Sequence, residues 1–143
     1  MYDAAALSRK LTAPIRVVAA VIQRDGKYLI TQRRESAVLA GLWEFPGGRV
    51  EEGETDQEAL RREVKERLGV GVKVREQIAA RHHRYDGYSV DLTLYQAELE
   101  AGHEPQAMRV ADFRWVPSSE FEKYPFPAAD QATMDLLLGM NRV

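Results

Sequence analysis

The sequence predicts a single α/β domain with several short strands, a central amphipathic helix and a last helix. Three observations support this prediction. A chain of 143 residues is the right length for one hydrophobic core, β-branched runs recur between turn signals, and one central segment has helical spacing with clear start and stop signals. The chain shows no internal repeat, linker or low-complexity segment. We therefore expect residues 15–143 to form one domain, with residues 1–14 as an N-terminal arm.

The composition excludes several classes of function. The 20 Lys and Arg residues nearly balance the 22 Asp and Glu residues, for a formal net charge of −2, which argues against binding to nucleic-acid polymers or membrane surfaces. The absence of cysteine excludes disulfides, thiolate zinc sites and cysteine nucleophiles. It also fits a cytoplasmic location. The apolar run from Val17 to Ile22 is too short for a membrane span or a signal-peptide core.

Two strands and a hairpin open the domain. The run from Val17 to Ile22 is β-branched and almost continuously apolar, which indicates a strand buried on both faces. Asp25 and Gly26 form a hairpin signal, and a second strand is predicted over Lys27 to Gln32, so that Arg33 lies at its end. Three later strands are predicted, near residues 74–84, 88–97 and 113–116.

The sequence Pro46-Gly47-Gly48 predicts a sharp turn. Proline fixes one backbone torsion, and glycine accepts torsions that are closed to other residues. A backbone without side chains can also approach other groups closely. We therefore expect a sharp turn at which the backbone approaches another group closely.

The central helix carries signals at both ends. Thr55 and Glu58 form a Thr-x-x-Glu capping box at its start, and Gly69 ends it. A buried stripe is predicted from the four-residue spacing of Leu60, Val64 and Leu68. A last helix is predicted from about Ala128 to Met140.

Two glutamates lie beside the buried stripe of the central helix. Glu63 and Glu66 are one turn apart on a single flank, so their carboxylates face the same space. Magnesium in proteins is usually held by one or two carboxylates together with waters and substrate phosphates. These glutamates are candidate ligands, and a glycine carbonyl of the preceding turn is a third candidate. Taken one by one, the same residues also fit a solvated helix face and an ordinary turn.

The segment from Gly48 to Val70 resembles the Nudix box. That pattern is Gly, five residues, Glu, seven residues, then Arg-Glu-apolar-any-Glu-Glu-any-Gly-apolar. The matching residues are Gly48, Glu54, Arg62, Glu63, Val64, Glu66, Gly69 and Val70. The likeness extends over roughly residues 15–140 to MutT-like nucleoside triphosphate pyrophosphohydrolases. It implies a Nudix-like α/β/α sandwich with a mixed β-sheet between helices.

The resemblance also implies an activity and a metal site. The expected reaction is metal-dependent hydrolysis of nucleoside or deoxynucleoside triphosphates, including oxidised ones, to the monophosphate and pyrophosphate. The expected cofactor is Mg²⁺, with Mn²⁺ as a substitute, held by the Gly48 carbonyl and by Glu63 and Glu66, which are also the expected catalytic residues. Structural roles in the box are expected for Glu54, Arg62 and Gly69. Arg62 has two alternative partners, Glu66 one turn on and, as the family favours, Glu54.

Three residues are implied as contacts to the substrate. By the resemblance, Arg33 contacts phosphate or sugar, Phe45 helps to line the nucleotide site, and Asp130 faces the base. An ionised Asp only accepts hydrogen bonds, which favours a base with an exocyclic amino group, such as cytosine. The alternative for Asp130 is the N-cap of the last helix.

Arg67 and Arg109 depart from the family pattern. Arg67 replaces the second Glu of the Glu-Glu pair, and a guanidinium is always charged and cannot coordinate a cation. It lies four residues after Glu63 and can pair with it; the alternatives are that it points away or contacts substrate phosphate directly. A gapless alignment puts Arg109 where relatives often have an acidic residue, with Glu104 or Asp112 as alternative substitutes for that acid. We therefore expect weakened metal binding and reduced hydrolysis. The alternative is a degenerate Nudix module that binds nucleotide or a partner without turnover.

The remaining candidates are weaker. His82 and His83 are adjacent in a predicted strand and so point to opposite faces, which argues against a compact metal pair. Trp43 and Trp115 are predicted to anchor the core. The expected partner is the nucleotide substrate, with no nucleic-acid polymer and no membrane, and the chain is expected to be a monomer or a homodimer.

Overall fold

A mixed sheet and one long helix make up most of residues 13–35 and 40–128, the part of the chain that the computed structural model describes. The strands are β1 (Ile15–Arg24), β2 (Lys27–Gln32), β3 (Trp43–Glu44), β4 (Gly47–Arg49), β5 (Val72–Tyr85), β6 (Tyr88–Leu99) and β7 (Asp112–Val116). Helix α1 spans Asp56–Leu68, and a 3-10 helix spans Ser118–Lys123. Asp130 and most of the predicted N-terminal arm and last helix lie outside the described residues.

Strand β1 is the centre of the sheet. It runs parallel to β6 over eight residue pairs, from Ile15 with Val90 to Ile22 with Ala97. Its other edge pairs antiparallel with β4 and with the start of β2. The order along the sheet is β3-β2-β1-β6-β5, with β7 on the other edge of β2. The predicted mixed sheet is confirmed.

The sheet buries side chains on both faces. Residues 18–22 of β1 are at most 5% exposed, as predicted, and alternate between two apolar clusters because successive strand residues point to opposite faces. Cluster one, under α1, includes Val18, Ala20, Ile22, Leu29, Ala59, Leu60, Val64 and Leu68. Cluster two, on the opposite face, includes Ala19, Val21, Tyr28, Ile30, Trp43, Phe45, Leu94, Phe121 and Phe126.

Helix α1 begins and ends where the sequence predicts. The Thr55 hydroxyl accepts a hydrogen bond from the Glu58 backbone N–H, and the Glu58 carboxylate accepts one from the Thr55 N–H, both at 3.1 Å. Gly69 has a left-handed φ of 69° and donates its N–H to the Lys65 carbonyl. The predicted stripe is fully buried against the sheet, with Leu60, Val64 and Leu68 each at 0% exposure.

Of the two predicted turns, the first is confirmed and the second is wrong. At the β1–β2 hairpin, Asp25 and Gly26 have φ values of 54° and 75°, the positive pair of a type I′ turn. The turn predicted at residues 46–48 is wrong, because Gly47–Arg49 is strand β4 and neither of its glycines has a positive φ. Glycine is required there for space: a Cβ on Gly47 would overlap the Val18 carbonyl oxygen.

The tryptophans and histidines follow their predictions in part. Trp43 is buried in cluster two. Trp115 is partly buried and packs against cluster one, with the Arg24 guanidinium 4.3 Å from its ring centroid. His82 is exposed and His83 is half-buried, which confirms that they point to opposite faces. None of the helices among the described residues has the length and apolar composition of a membrane-spanning segment.

Candidate active site

Helix α1 and strands β1, β4 and β6 enclose a cavity of about 550 Å³, the main cavity. One set of lining residues is charged or belongs to the Gly-Gly strand. That set includes Arg33, Glu44, Gly48, Glu63 and Arg67. A second set is aromatic and apolar and comes chiefly from the β5–β6 hairpin. That set includes Tyr85, Tyr88, Val90 and Leu92. One cavity therefore joins the box residues to an aromatic surface.

Glu63 lies on the buried flank of α1, directly against the backbone of β4. It is 9% exposed, and a Cβ on Gly48 would overlap its carboxylate. One carboxylate oxygen, Oε1, accepts a hydrogen bond from Arg62 Nη1 at 2.9 Å, and Oε2 accepts one from Arg67 Nε at 2.8 Å. The predicted neighbours Gly48 and Glu63 are thus in contact, with two guanidiniums on the carboxylate.

Arg62 connects α1 to the loop that precedes it. Its Nε and Nη2 donate to the two carboxylate oxygens of Glu54, both at 2.8 Å, and Nη2 also donates to the Arg49 carbonyl. The hydrogen bonds from Arg62 lower the pKa of Glu54 to about 2. This is the contact expected of a brace, and the alternative partner Glu66 is farther away, at 3.6 Å.

Glu44 is a site residue that the sequence analysis missed. Burial raises the pKa of this carboxyl, and the nearby charges of Arg33 and Arg67 oppose that rise. Arg33 Nη1 lies 2.9 Å from Glu44 Oε2, and Arg67 Nη1 lies 3.9 Å from Glu44 Oε1. The only signal in the sequence is an acidic residue between two buried aromatic residues, Trp43 and Phe45.

Backbone hydrogen bonds hold Arg109 beside the end of α1. The last carbonyls of a helix have no partner within the helix. Here the Arg67 carbonyl accepts from the Met108 and Arg109 N–H groups, at 3.0 and 3.1 Å, and the Leu68 carbonyl accepts from Gln106 at 2.9 Å. The Arg109 side chain consequently reaches Glu66, with Nη1 3.5 Å from Oε2.

Neither candidate substitute for the missing acid pairs with the box arginines. Glu104 forms an ion pair with Arg24 at 2.9 Å, and Asp112 forms one with Arg114 at 3.1 Å. Both carboxylates thus pair with arginines outside the box, and their role as substitutes for the acid stays a prediction. The loop is fixed by backbone bonds at residues 106–109, which present Arg109 instead.

The residues expected to contact substrate lie in different environments. Arg33 lines the main cavity. Phe45 also borders it, but its ring is 1% exposed and packs edge-on against Phe121 and Phe126, with centroids 6.0 and 5.6 Å away. Phe45 is thus chiefly a core residue that backs the cavity wall. Asp130 lies outside the described residues, so its role as a base contact stays a prediction.

The box residues offer only the smallest number of carboxylate ligands with which proteins usually hold Mg²⁺. Within the described part of the chain, no group of three or more His, Cys, Asp or Glu side chains converges on a point that could hold a metal. Glu63 and Glu66 can supply the one or two carboxylates that Mg²⁺ usually takes. Both are engaged by guanidiniums: Glu63 by Arg62 and Arg67, and Glu66 by Arg62 and Arg109. A bound ion would have to compete with these cations for both carboxylates.

Comparison with known proteins identifies the family of this chain. Residues 17–136 match the family described as NUDIX domain. The chain is 37% identical over 132 residues to a CTP pyrophosphohydrolase of Escherichia coli K12, covering 89% of this chain and 93% of that protein. It is 30% identical over 125 residues to an 8-oxo-dGTP diphosphatase of Haemophilus influenzae, covering 87% and 91%.

The fold has a close structural counterpart. The crystal structure of a MutT protein from Methanosarcina mazei superposes with a TM-score of 0.79 over 92% of this chain and 98% of that one, at 21% identity. This likeness supports the fold, and the sequence matches support the family. The chain therefore belongs to the Nudix hydrolases, a family of enzymes that act on phosphoanhydride bonds.

Proposed function

We propose that this chain hydrolyses nucleoside or deoxynucleoside triphosphates to the monophosphate and pyrophosphate. The observation that carries the proposal is the main cavity, whose volume of about 550 Å³ lies within the range of roughly 300–1,000 Å³ for small-molecule sites. The names of its relatives make CTP and 8-oxo-dGTP the first substrates to test.

The two sets of lining residues suit the two parts of a nucleotide. Arg33 and Arg67 provide guanidiniums, which bind phosphate oxygens through paired hydrogen bonds. The rings of Tyr85 and Tyr88 stack at a centroid distance of 5.0 Å and an interplanar angle of 17°. Together with Val90 and Leu92 they give the apolar, aromatic surface that a base requires. The triphosphate would lie toward the box residues and the base toward the β5–β6 hairpin.

Nudix hydrolases generally need divalent metal ions. Here we propose Mg²⁺, with Mn²⁺ as a substitute, held by Glu63, Glu66 and the Gly48 carbonyl. A bound ion would neutralise phosphate charge and lower the pKa of a water molecule. Glu63 and Glu66 are the proposed catalytic residues, and Arg67 slows turnover because its charge competes with the ion for Glu63.

The proposed structural residues keep these groups in place. Arg62 holds Glu54 and the loop before α1 while it also contacts Glu63, and Gly69 ends the helix so that the chain can turn away. Asp130 remains the proposed contact to the base. As an acceptor it suits the amino group of cytosine, in line with the CTP relative.

The first test is release of pyrophosphate from a panel of normal and oxidised nucleoside triphosphates with Mg²⁺ or Mn²⁺. The parent is expected to turn over at least one of them. Glu63→Gln is expected to lose about a hundredfold or more, the usual cost of removing a positioned acid or base. Glu98→Gln, on an exposed carboxylate outside both the main cavity and α1, is the matched control and should keep the parent rate.

One observation favours a second candidate function. The two box carboxylates are shared among three guanidiniums, which fits a module that binds nucleotide without turnover. No parental turnover with any nucleotide, together with activity in Arg67→Glu, would establish this second function and reject the first.

A further inference from the structure

A smaller cavity of about 170 Å³ adjoins the main cavity. We call it the arginine cavity, and it is lined by Arg33, Arg34, Glu63, Glu66, Arg67 and Arg109. It shares Arg33, Glu63 and Arg67 with the main cavity. A ligand in the main cavity can therefore extend a charged group into it.

The charge of the arginine cavity is opposite to that of a metal site. Four guanidiniums against two carboxylates leave a net charge of +2. With acidic residues at positions 67 and 109, as in the family pattern, two arginines would face four carboxylates, for a net charge of −2. A recess lined with positive charge attracts anions, and one lined with negative charge attracts cations. These two positions thus reverse the kind of ligand that the cavity favours.

Many hydrogen-bond donors of the arginine cavity have no acceptor among the described residues. A guanidinium carries five N–H donors. Among the described residues, the Arg67 side chain donates one hydrogen bond, from Nε to Glu63. Arg109 contacts Glu66 only as an ion pair at 3.5 Å, and the side chain of Arg34 has neither a hydrogen bond nor an ion pair with any other described residue. Within the described part of the chain, most of the donors of these three residues are therefore available to an anion.

Size and position indicate which anion fits. About 170 Å³ is below the roughly 300 Å³ at which small-molecule sites begin, so the arginine cavity suits phosphoryl groups and excludes a nucleoside. Arg67 is held by Glu63, and the backbone of Arg109 is held by the Arg67 carbonyl. Donors that are already in position lose little entropy on binding.

We propose that the arginine cavity binds the terminal phosphates of the substrate directly, so that guanidiniums carry part of the charge neutralisation that a metal ion would otherwise supply. This inference rests on the proposed function for the identity of the triphosphate. It goes further in one respect, which is that the polyphosphate chain binds in the absence of divalent metal.

Isothermal titration of the full chain with inorganic triphosphate in excess EDTA tests this inference without reading turnover. The parent is expected to bind, and to bind more weakly as salt rises from about 50 to about 500 mM, because salt screens exposed charges. Arg67→Gln and Arg109→Gln are each expected to lose about tenfold or more in affinity. Arg75→Gln, on an exposed arginine of β5 that lines neither cavity, is the matched control.

Three results would overturn the inference: no binding by the parent in EDTA, equal affinity in the parent and both cavity variants, or an equal loss in Arg75→Gln. Binding in EDTA without turnover in Mg²⁺ would support the arginine cavity and reject hydrolysis. Turnover in Mg²⁺ without binding in EDTA would support hydrolysis and reject the arginine cavity as a site for phosphate.

A charge reversal gives an independent readout. Arg109→Glu should bind inorganic triphosphate in EDTA more weakly than Arg109→Gln, and should bind Mn²⁺ more tightly than the parent, as measured by electron paramagnetic resonance of free Mn²⁺. The Arg109 side chain is 58% exposed, so the substitution leaves folding intact, which a thermal melt checks. Unchanged affinity for both ligands would reject the proposed charge reversal.

Discussion

At the scale of single residues, Gly47 and Gly48 are adjacent in β4 but serve different purposes. A Cβ on Gly48 would meet the end of the Glu63 side chain, which can rotate away. We predict that Gly48→Ala unfolds close to the parent in a thermal melt but loses about a hundredfold in pyrophosphate release, the usual cost of a displaced catalytic group. Full activity in Gly48→Ala would show that the position of Glu63 does not matter.

Gly47→Ala is the matched comparison, and here we expect a loss of stability. Its Cβ would meet the Val18 carbonyl oxygen and the Ala19 Cα, which are backbone atoms fixed in the sheet. We predict a loss of about 3 kcal/mol in the free energy of unfolding, the upper end of the cost of overpacking a core, measured by urea denaturation. A stability equal to that of the parent would contradict the tight packing of β4 on β1.

Among single residues, the sequence predicts contacts within one helix but not contacts between distant elements. Pairing of Arg67 with Glu63 followed from four-residue spacing on a helix, and the structure shows it at 2.8 Å. Glu44 was missed because its importance depends on which residues its carboxyl meets, Arg33 and Arg67. Those neighbours come from other elements, and no local pattern identifies them.

At the scale of elements, the loop before α1 depends on the charge of Glu54. Arg62 lowers the pKa of Glu54 from an ordinary 4.5 to about 2. A carboxyl whose pKa is lower in the folded state stabilises the fold above its unfolded pKa, and this stabilisation is lost as the pH falls toward the folded pKa. We predict that Glu54→Gln is less stable than the parent at pH 7 and that the difference shrinks between about pH 4.5 and pH 2.

Urea denaturation of both proteins at several pH values measures this difference. Glu52→Gln, in the same loop but without an ion pair to any other described residue, is the control and should show no such trend. A difference between parent and Glu54→Gln that stays constant down to pH 3 would contradict the charge dependence of the brace.

The N-cap of α1 gives a second prediction at this scale. Thr55→Ala removes the hydroxyl that accepts from Glu58 N–H. We predict a loss of about 1 kcal/mol in the free energy of unfolding, within the usual range for N-caps. Thr55→Ser, which keeps the hydroxyl, should restore most of that loss, and failure of Ser to do so would assign the effect to the methyl group.

Elements differed in how far the sequence predicted them. Helix α1 was predicted at both ends because its cap, stripe and stop are all local signals. Strands β3 and β4 were not predicted, because they have only two and three residues and exist through pairing with β2 and β1. At Gly47 and Gly48, pairing of β4 with β1 outweighs the local preference of glycine for turns.

At the scale of the whole molecule, the sheet separates two apolar clusters. Val64 belongs to the cluster under α1 and Ile30 to the cluster on the opposite face, and both side chains are fully buried. We predict that Val64→Ala costs about 2 kcal/mol and Ile30→Val about 1 kcal/mol in the free energy of unfolding.

The double variant should equal the sum of the two single losses within about 0.5 kcal/mol, because distant sites without shared partners add. Urea denaturation of the four proteins completes the cycle. A coupling energy above about 1 kcal/mol would show that the two clusters behave as one core.

The arrangement of the site also belongs to this scale. The family resemblance identified the box residues, but the meeting of Arg67 with Arg109 requires a loop forty residues farther along to fold back on the helix end. Backbone bonds of residues 106–109 make that contact, and backbone bonds have no sequence pattern. The box residues and the two arginines were thus predictable, while their convergence in one cavity was not.

The tether between that loop and α1 has a consequence for how such a protein can change. Position 67 holds the loop through its carbonyl oxygen, which every amino acid has, while its side chain lines the arginine cavity. A mutation there alters the chemistry of the site and leaves its architecture in place. During evolution, one substitution can therefore exchange an acidic for a basic residue at this position, and the backbone around it needs no other change.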